Sequence, residues 1–442
     1  MPDDPPPRSL LDLPIELLRR VLHFTGLKYG TLKSEQANLL STQPAAALTL
    51  TTPRQAAQLA AWVAKRRPPL PQLTCTVAAQ SDVQEAQDME WQLRALWATL
   101  GVAAQQLTSL TWDAAYLRCS STEVVHSHSG WLGSKFYYEA PPLHNLRSLT
   151  LVADAISLPV SYSSLAALTQ LALSAMAVRL APGCLPPRLR SLGITLDGEH
   201  TLSRDIVAQV KAAAVHAIAS LCHLQLRWDH RCAVSMEGLS CLQALASLRL
   251  SSACLTLPPD LARLPKLAEL VIEEAALQGG ELVRLAALTK LHLLAVWGRA
   301  DLRRVWDLPV LKHLHYIPVS QQRLDIPLGC QPHLESLLVD AHQAAANPAA
   351  LQAMTALTQL ALPCRRPPLG AGAMASLLQR VRQLPRLQRL SIGPLEDGGC
   401  CAGETEVEKE LEQLKLARPG LTVERIDVFP VHLLWLDIGN GW

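Results

Sequence analysis

The feature that most constrains this chain is an internal repeat. The unit L-x-x-L-x-L occurs as Leu146-x-x-Leu149-x-Leu151, Leu168-x-x-Leu171-x-Leu173 and Leu189-x-x-Leu192-x-Ile194. It returns from Leu221, Leu245, Leu267, Leu288, Leu311, Leu334, Leu357 and Leu387. Successive first leucines lie 22, 21, 32, 24, 22, 21, 23, 23, 23 and 30 residues apart. Three weaker units precede them, at Ala45-x-x-Leu48-x-Leu50, Leu70-x-x-Leu73-x-Cys75 and Leu107-x-x-Leu110-x-Trp112, and a degraded one follows near Leu421. About fourteen units therefore cover residues 45–423.

The physical reading of one unit is short. Side chains alternate across a strand, so L-x-L presents one apolar face. The first Leu, and a later one such as Leu255 or Leu277, turns back toward the same core. In "LPPDLARLPKL", residues 257–267, the spacing of Leu257, Leu261 and Leu264 suits one or two helical turns. One unit cannot bury this surface by itself. Stacked units form a parallel sheet over a Leu-filled core, each unit stabilised by its neighbours. With 85 Leu among 442 residues, the composition supplies that core.

This pattern resembles the leucine-rich-repeat family, whose consensus L-x-x-L-x-L-x-x-N-x-L comes every 20–29 residues. The resemblance implies an α/β solenoid, a curved horseshoe with its parallel sheet on the concave face. The chain departs from the consensus at the Asn, where it has Asp154, Met176, Asp197, Asp229, Ala253, Ala275 and Val296. No regular Asn ladder can form, so less uniform turns are expected. The long steps call for inserted helices: one over roughly 204–220 capped by Ser203, one over 373–383, and one over 82–99 capped by Ser81.

Residues 114–142, rich in Ser, His and aromatics, carry no Leu triplet and read as an inserted loop. Residues 404–416 place Val407, Leu411 and Leu414 on one helical stripe among acidic residues, an arrangement suited to capping a repeat array. Residues 424–442 form an apolar tail expected to pack back on that cap.

The N-terminus carries a different motif. Residues 1–8 are Pro-rich and read as a disordered tail. Residues 9–24 place Leu17, Leu18, Val21 and Leu22 at helical spacing behind Pro14, a residue tolerated in a first helical turn. The segment resembles the opening of an F-box, L-P-x-E-[LI]-[LI]-x-x-[IV]-[LF], through Leu13, Pro14, Glu16, Leu17, Leu18, Val21 and Leu22. That resemblance implies a face for a Skp-type adaptor and, through it, a cullin complex. Residues 25–44 lack the Val-Cys-x-x-Trp-like ending of an F-box, so only the first helix of a 9–44 segment matches. The alternative is that 9–24 simply caps the first repeat of a cytosolic scaffold for a signalling partner.

Composition narrows the function. Forty Lys+Arg against 38 Asp+Glu leave a net charge of +2, too balanced for a phosphate-backbone binder. No apolar run approaches the roughly 18 residues of a membrane span, and the N-terminus lacks a secretory signal's basic and apolar regions. Eleven Cys without any C-x-x-C suit free thiols in a reducing compartment, cytoplasm or nucleus. There is no G-x-S-x-G, P-loop or H-E-x-x-H. Gly279-Gly280 and Gly398-Gly399 read as turns, His126-x-His128 as solvated loop, Cys400-Cys401 as surface thiols, and Trp62, Trp91 and Trp97 as core. The expectation is a non-enzymatic interaction module without cofactor or metal, holding an unidentified protein target.

A candidate contact surface emerges from the x positions of the repeat, which face outward on the concave side. Most are small: Ser148, Thr150, Gln170, Ala172, Ser191, Gly193 and Ala361. The central units differ. One row reads Glu269, Lys290, His313, Ser336; the next Val271, His292, His315, Leu338; the third Glu273, Leu294, Ile317, Asp340. Ionisable and apolar groups thus gather on one patch, with Glu269, Glu273, Lys290, His292, His313, His315 and Asp340 as partner-binding candidates. The three imidazoles near Glu269 point to a pH-sensitive protein contact. A bound metal or a merely wet surface are the alternatives.

Overall fold

The computed structural model describes most of residues 46–425. Outside it lie 1–45, 426–442 and internal segments, the longest being 61–70, 82–92, 120–134, 197–205, 279–284, 319–325, 327–332 and 394–400. The chain divides into two compact units, Met1–His230 and Arg231–Trp442.

In the first unit each repeat contributes one strand to a parallel sheet. The strands run Ala46–Leu50, Gln72–Val77, Ser109–Asp113, Ser148–Val152, Gln170–Ala175, Ser191–Leu196 and His223–Trp228, and each pairs with the next. The register sets Leu against Leu: Leu110 lies opposite Leu149, Leu149 opposite Leu171, Leu171 opposite Leu192, and Leu192 opposite Leu224. These leucines are all buried, whereas their neighbours along each strand are half-buried or exposed. That alternation is the period-two pattern written in the sequence.

The second unit repeats the scheme. Its strands are Ser247–Ser252, Glu269–Glu273, Lys290–Gly298, His313–Pro318, Ser336–Val339, Gln359–Leu362, Arg389–Ile392 and Thr422–Arg425, again parallel and sequentially paired. The last of them is the degraded unit expected near Leu421. The fold is a leucine-rich-repeat solenoid.

Two corrections concern the turns. Where no Asn ladder was possible, the backbone pairs with itself instead. Ala155–Leu158 aligns with Ala177–Leu180 and with Lys135–Phe136, and Gln80–Ser81 aligns with Arg118–Cys119. In the second unit Leu255–Thr256 bridges Val234–Ser235 and Ala276–Gln278, and the latter meets Trp297 and Gly298. Peptide groups that a turn would otherwise strand from water are paired in this way. Ser81, expected as a helix cap, lies in a strand, with residues 82–92 after it outside the described residues, and the 114–142 segment contains two short strands, not only loop.

Helices fill the long steps. Ile206–Ala213 continues as a 3-10 turn to His216, ending short of the expected residue 220, and buries Ile206, Val207, Val210 and Ala213. Ile218 lies past its end. Ala371–Val381 buries Met374, Ala375, Leu377, Leu378 and Val381 against the second unit's core. Residues 93–101 are helical; Trp97 there meets Trp112 edge to face at 5.2 Å, and its indole N–H donates to the Glu139 carbonyl at 2.9 Å. Trp97 is therefore core. Trp62, Trp91, Ser203, Asp197, Asp229, Ala253 and Ala275 lie outside the described residues.

The acidic helix spans Cys401–Ala417 and buries Val407, Leu411 and Leu414. It packs on Ala371–Val381. Gln379 donates to Glu410 at 3.0 Å, Arg382 to Gln413 at 2.8 Å, and Arg418 to the Arg382 carbonyl at 3.0 Å.

Candidate functional site

The register of the second unit brings the central residues together. Glu269 lies opposite Lys290, Lys290 opposite His313, and His313 opposite Ser336. One position pair further along the strands, Val271 faces His292, His292 faces His315, and His315 faces Leu338. Glu273 faces Leu294, and Leu294 faces Ile317. Asp340 follows the last paired residue of its strand.

These rows differ sharply in accessibility. Lys290 is exposed, and Glu269, His313 and His315 are half-buried. The remaining members are covered. Val271 is 1% exposed, His292 4%, Leu294 1%, Ile317 4% and Leu338 3%. Leu294, Ile317 and Leu338 form an apolar cluster, with Ala361 packed at its side.

Polar groups within this covered region have specific partners. Arg249 stands 3.9 Å from Glu273, both nearly buried, which keeps a charge in place on a dry face. Arg249 occupies the same register position as Val271, and sequence reasoning missed it although it is the x residue of the Leu245 unit. The His292 and His315 rings meet edge to face at 4.3 Å, and His315 Nε2 lies 3.4 Å from the Ser336 hydroxyl. Both rings keep a buried Nδ1 without a hydrogen-bond partner. Asp340 is taken by local structure: its carboxylate accepts from the His342 N–H at 2.9 Å and caps the helix Ala341–Ala346.

Electrostatics follow from this packing. Burial, then the neighbouring His315, Arg249, His313 and Lys290, holds His292 well below the ordinary imidazole value. Burial, with His313 and Lys290, pulls His315 down to about 4. Burial and Lys290 also lower His313, while Glu335 and Glu269 oppose the shift. The pair is therefore neutral near pH 7, an aromatic contact more than a cationic one. Beside it runs an accessible polar strip of Glu269, Lys290 and His313, extended by the ion pair of Lys312 with Glu335 at 2.8 Å.

Among the described residues no group of three His, Cys, Asp or Glu side chains is placed to hold a metal ion, and no helix is long and apolar enough to cross a membrane. Residues 9–24, His126, His128, Gly279, Gly280, Gly398, Gly399 and Cys400 lie outside the described residues.

No protein-family model matches the chain, and no curated protein does. Among solved structures, an internalin from Listeria monocytogenes aligns over 93% of this chain and 90% of its own, at 12% identity and a TM-score of 0.35. A second Listeria monocytogenes internalin covers 63% of this chain and 92% of its own, at 15% identity and a TM-score of 0.30. The leucine-rich-repeat ectodomain of the Arabidopsis receptor kinase HAESA, solved with a peptide hormone ligand, covers 85% of this chain and 68% of its own, at 13% identity and a TM-score of 0.36.

Proposed function

We propose that this chain is a non-enzymatic protein-interaction module, acting in the cytoplasm or nucleus as the substrate-recognition subunit of an SCF-type ubiquitin ligase. The target is held on the open face of the second unit's sheet, the face turned away from the Leu core. The Skp-type adaptor, and through it the cullin complex, is held by Leu13, Pro14, Glu16, Leu17, Leu18, Val21 and Leu22.

The observation that carries the recognition half is the single-register strip of Glu269, Lys290 and His313. Three ionisable groups of differing charge stand side by side on strands that cannot move independently. Fixed, partly exposed charges of both signs select a partner by complementarity more than by raw affinity. His292, His315 and Glu273 lie deeper and set the floor of that surface. Asp340 shapes its edge through the helix it caps. For the adaptor half the support is the sequence match of residues 9–24, ahead of the repeats in the order such proteins use.

Two measurements test the two halves separately. Leu13→Ala with Leu17→Ala should abolish adaptor capture in a pull-down from purified components. If wild type captures no more adaptor than the double variant, residues 9–24 serve as a cap and the chain is a scaffold. Glu269→Lys with Lys290→Glu reverses the strip without touching the core. It should eliminate recovery of a cross-linked target while leaving the melting transition in place; unchanged recovery moves the target site elsewhere.

A further inference from the structure

The edge of the first unit's sheet where its strands begin carries charge of one sign. From Pro71 to His223, the two residues that lead into the buried Leu of each strand include no acid. Arg147 and Arg190 occupy such positions and are exposed; Arg188, two residues before Arg190, is exposed as well. Among the described residues no carboxylate pairs with any of the three. The unit's described acids stand elsewhere. Asp113 ends its strand, Asp154 follows the strand Ser148–Val152, and Glu139 belongs to the 114–142 segment. The second unit treats the same positions differently. Lys290 lies opposite Glu269 in register, Lys312 pairs with Glu335 at 2.8 Å, and Arg389 pairs with Glu424 at 3.3 Å.

The three arginines stand on backbone that is held in place. The Arg147 N–H donates to the Thr108 carbonyl at 2.7 Å, the Thr169 N–H to the Arg147 carbonyl at 2.9 Å, and the Arg190 N–H to the Thr169 carbonyl at 2.8 Å. Arg147 and Arg190 therefore lead into strands two apart, about 10 Å from one another at roughly 4.8 Å per strand. Thr169, between them, turns its hydroxyl into the Arg147 carbonyl at 3.1 Å. The Ser220 hydroxyl lies 2.8 Å from the Pro187 carbonyl and 2.9 Å from that of Leu189, which pins the chain on both sides of Arg188. Beside this edge the open face is low. Ala172 is exposed, and a Cβ added at Gly193 would meet only the Ala172 Cβ, at 4.0 Å.

We propose that Arg147, Arg188 and Arg190 form a docking edge for an acidic peptide segment of a partner protein. A guanidinium holds a carboxylate through two parallel N–H donors, and it is hydrated more weakly than an ammonium, so it gives up water readily. An extended segment sets alternate side chains on one face about 7 Å apart, at roughly 3.3 Å per residue. Carboxylates at that interval are within reach of guanidinium groups on flexible stems. The low floor of Ala172 and Gly193 lets a peptide backbone approach, and Ser148 and Ser191 offer it hydroxyl groups. Unneutralised positive charge selects the sign of the partner, because a basic segment is repelled. The chain's net charge of +2 favours a short acidic segment over a polyphosphate backbone. The inference goes beyond the target-binding reading and stands without it.

The test titrates the full chain into a fluorescein-labelled peptide of alternating glutamate and serine and reads anisotropy. The salt is about 0.1 M, where the screening length is about 10 Å. Wild type should bind, and Arg147→Glu with Arg190→Glu should weaken binding about tenfold or more. Arg147→Lys with Arg190→Lys keeps the charge without the fork and should fall between the two. The milder Arg147→Ala with Arg188→Ala should also weaken binding, and it serves if the reversal disturbs the melting transition. Arg179→Glu with Lys211→Glu removes the same net charge from the short strand Ala177–Leu180 and the helix Ile206–Ala213, and should bind as wild type. A loss as large in that control, or no loss in the Arg147 variants, overturns the proposal. So does an all-serine peptide or a single-stranded oligonucleotide that wild type binds as tightly. Glu269→Lys with Lys290→Glu should leave the peptide bound; if it releases the peptide, the second unit's strip is the site and this edge is not. No adaptor or target enters the measurement, so failure here is distinct from failure of the proposed function.

Discussion

His292 and His315 stand on neighbouring strands with their rings edge to face, 81° apart in plane, and each keeps a buried Nδ1 that no other group satisfies. A neutral imidazole tolerates this position; an imidazolium would be desolvated beside a second cation. The fold thus holds both rings uncharged at a pH where the unfolded chain has begun to bind protons.

The first prediction is a loss of stability on acidification. The unfolded imidazole titrates near 6.5 and His315 in the fold near 4. Between these values the unfolded state holds the extra proton, so stability falls as pH falls and levels off once the folded ring titrates. One such group contributes a slope of about 1.4 kcal/mol per pH unit. His315→Gln should flatten the dependence of the urea midpoint on pH between 6.5 and 4 by about that amount; an unchanged slope would place the coupling elsewhere.

The second concerns Arg249 and Glu273. Removing one member of a buried ion pair strands the other charge, at a cost of about 3 kcal/mol or more. Arg249→Met should therefore destabilise strongly. Arg249→Met combined with Glu273→Leu should recover most of the loss, because the carboxylate deprived of its guanidinium is gone as well. A double variant as unstable as the single one would mean that the side chains matter through shape.

A third prediction isolates the cap at Asp340. Asp340→Ala should lower stability by about 1 kcal/mol, and Asp340→Asn should retain most of it, since the amide oxygen can accept from the same N–H. Chemical denaturation of the three proteins resolves the difference. Equal losses in Ala and Asn would assign the role to charge and not to capping.

Leu411 carries a fourth. It is buried between the Cys401–Ala417 helix and its neighbours, so Leu411→Ala should cost about 2–5 kcal/mol. Leu416, on the same helix but 79% exposed, is the control. Leu416→Ala should change the melting temperature little.

Much of this fold was legible in advance because Leu identity and strand register are the same information. A one-residue slip would turn every Leu outward, so the alignment of Glu269, Lys290 and His313 followed from the alignment of Leu270, Leu291 and Leu314. The helix Cys401–Ala417 was legible for a similar reason, through the spacing of Val407, Leu411 and Leu414. The short second strands were not, since two to four residues such as Val234–Ser235 carry no usable period. The capping role of Asp340 was not read from the sequence, although Asp340 followed by Gln343 has the spacing of a capping box. The burial of these central positions left a trace as well: Val271, Leu294, Ile317 and Leu338 are apolar where the x positions of the other repeats are mostly polar or small.

The self-pairing of the turns changes what selection can act on. A side-chain ladder ties every repeat to one amino acid at one position, and each loss leaves buried peptide groups wanting. Here the bond between Ala155–Leu158 and Ala177–Leu180 is made by main chain alone. Met176 can therefore stand where a consensus would demand Asn, and the two bonds from Met176 and Ala177 to the Asp154 carbonyl are unaffected by which side chain sits there. Such a chain is free to drift at its turns, generation after generation, while the leucines beneath keep the architecture fixed.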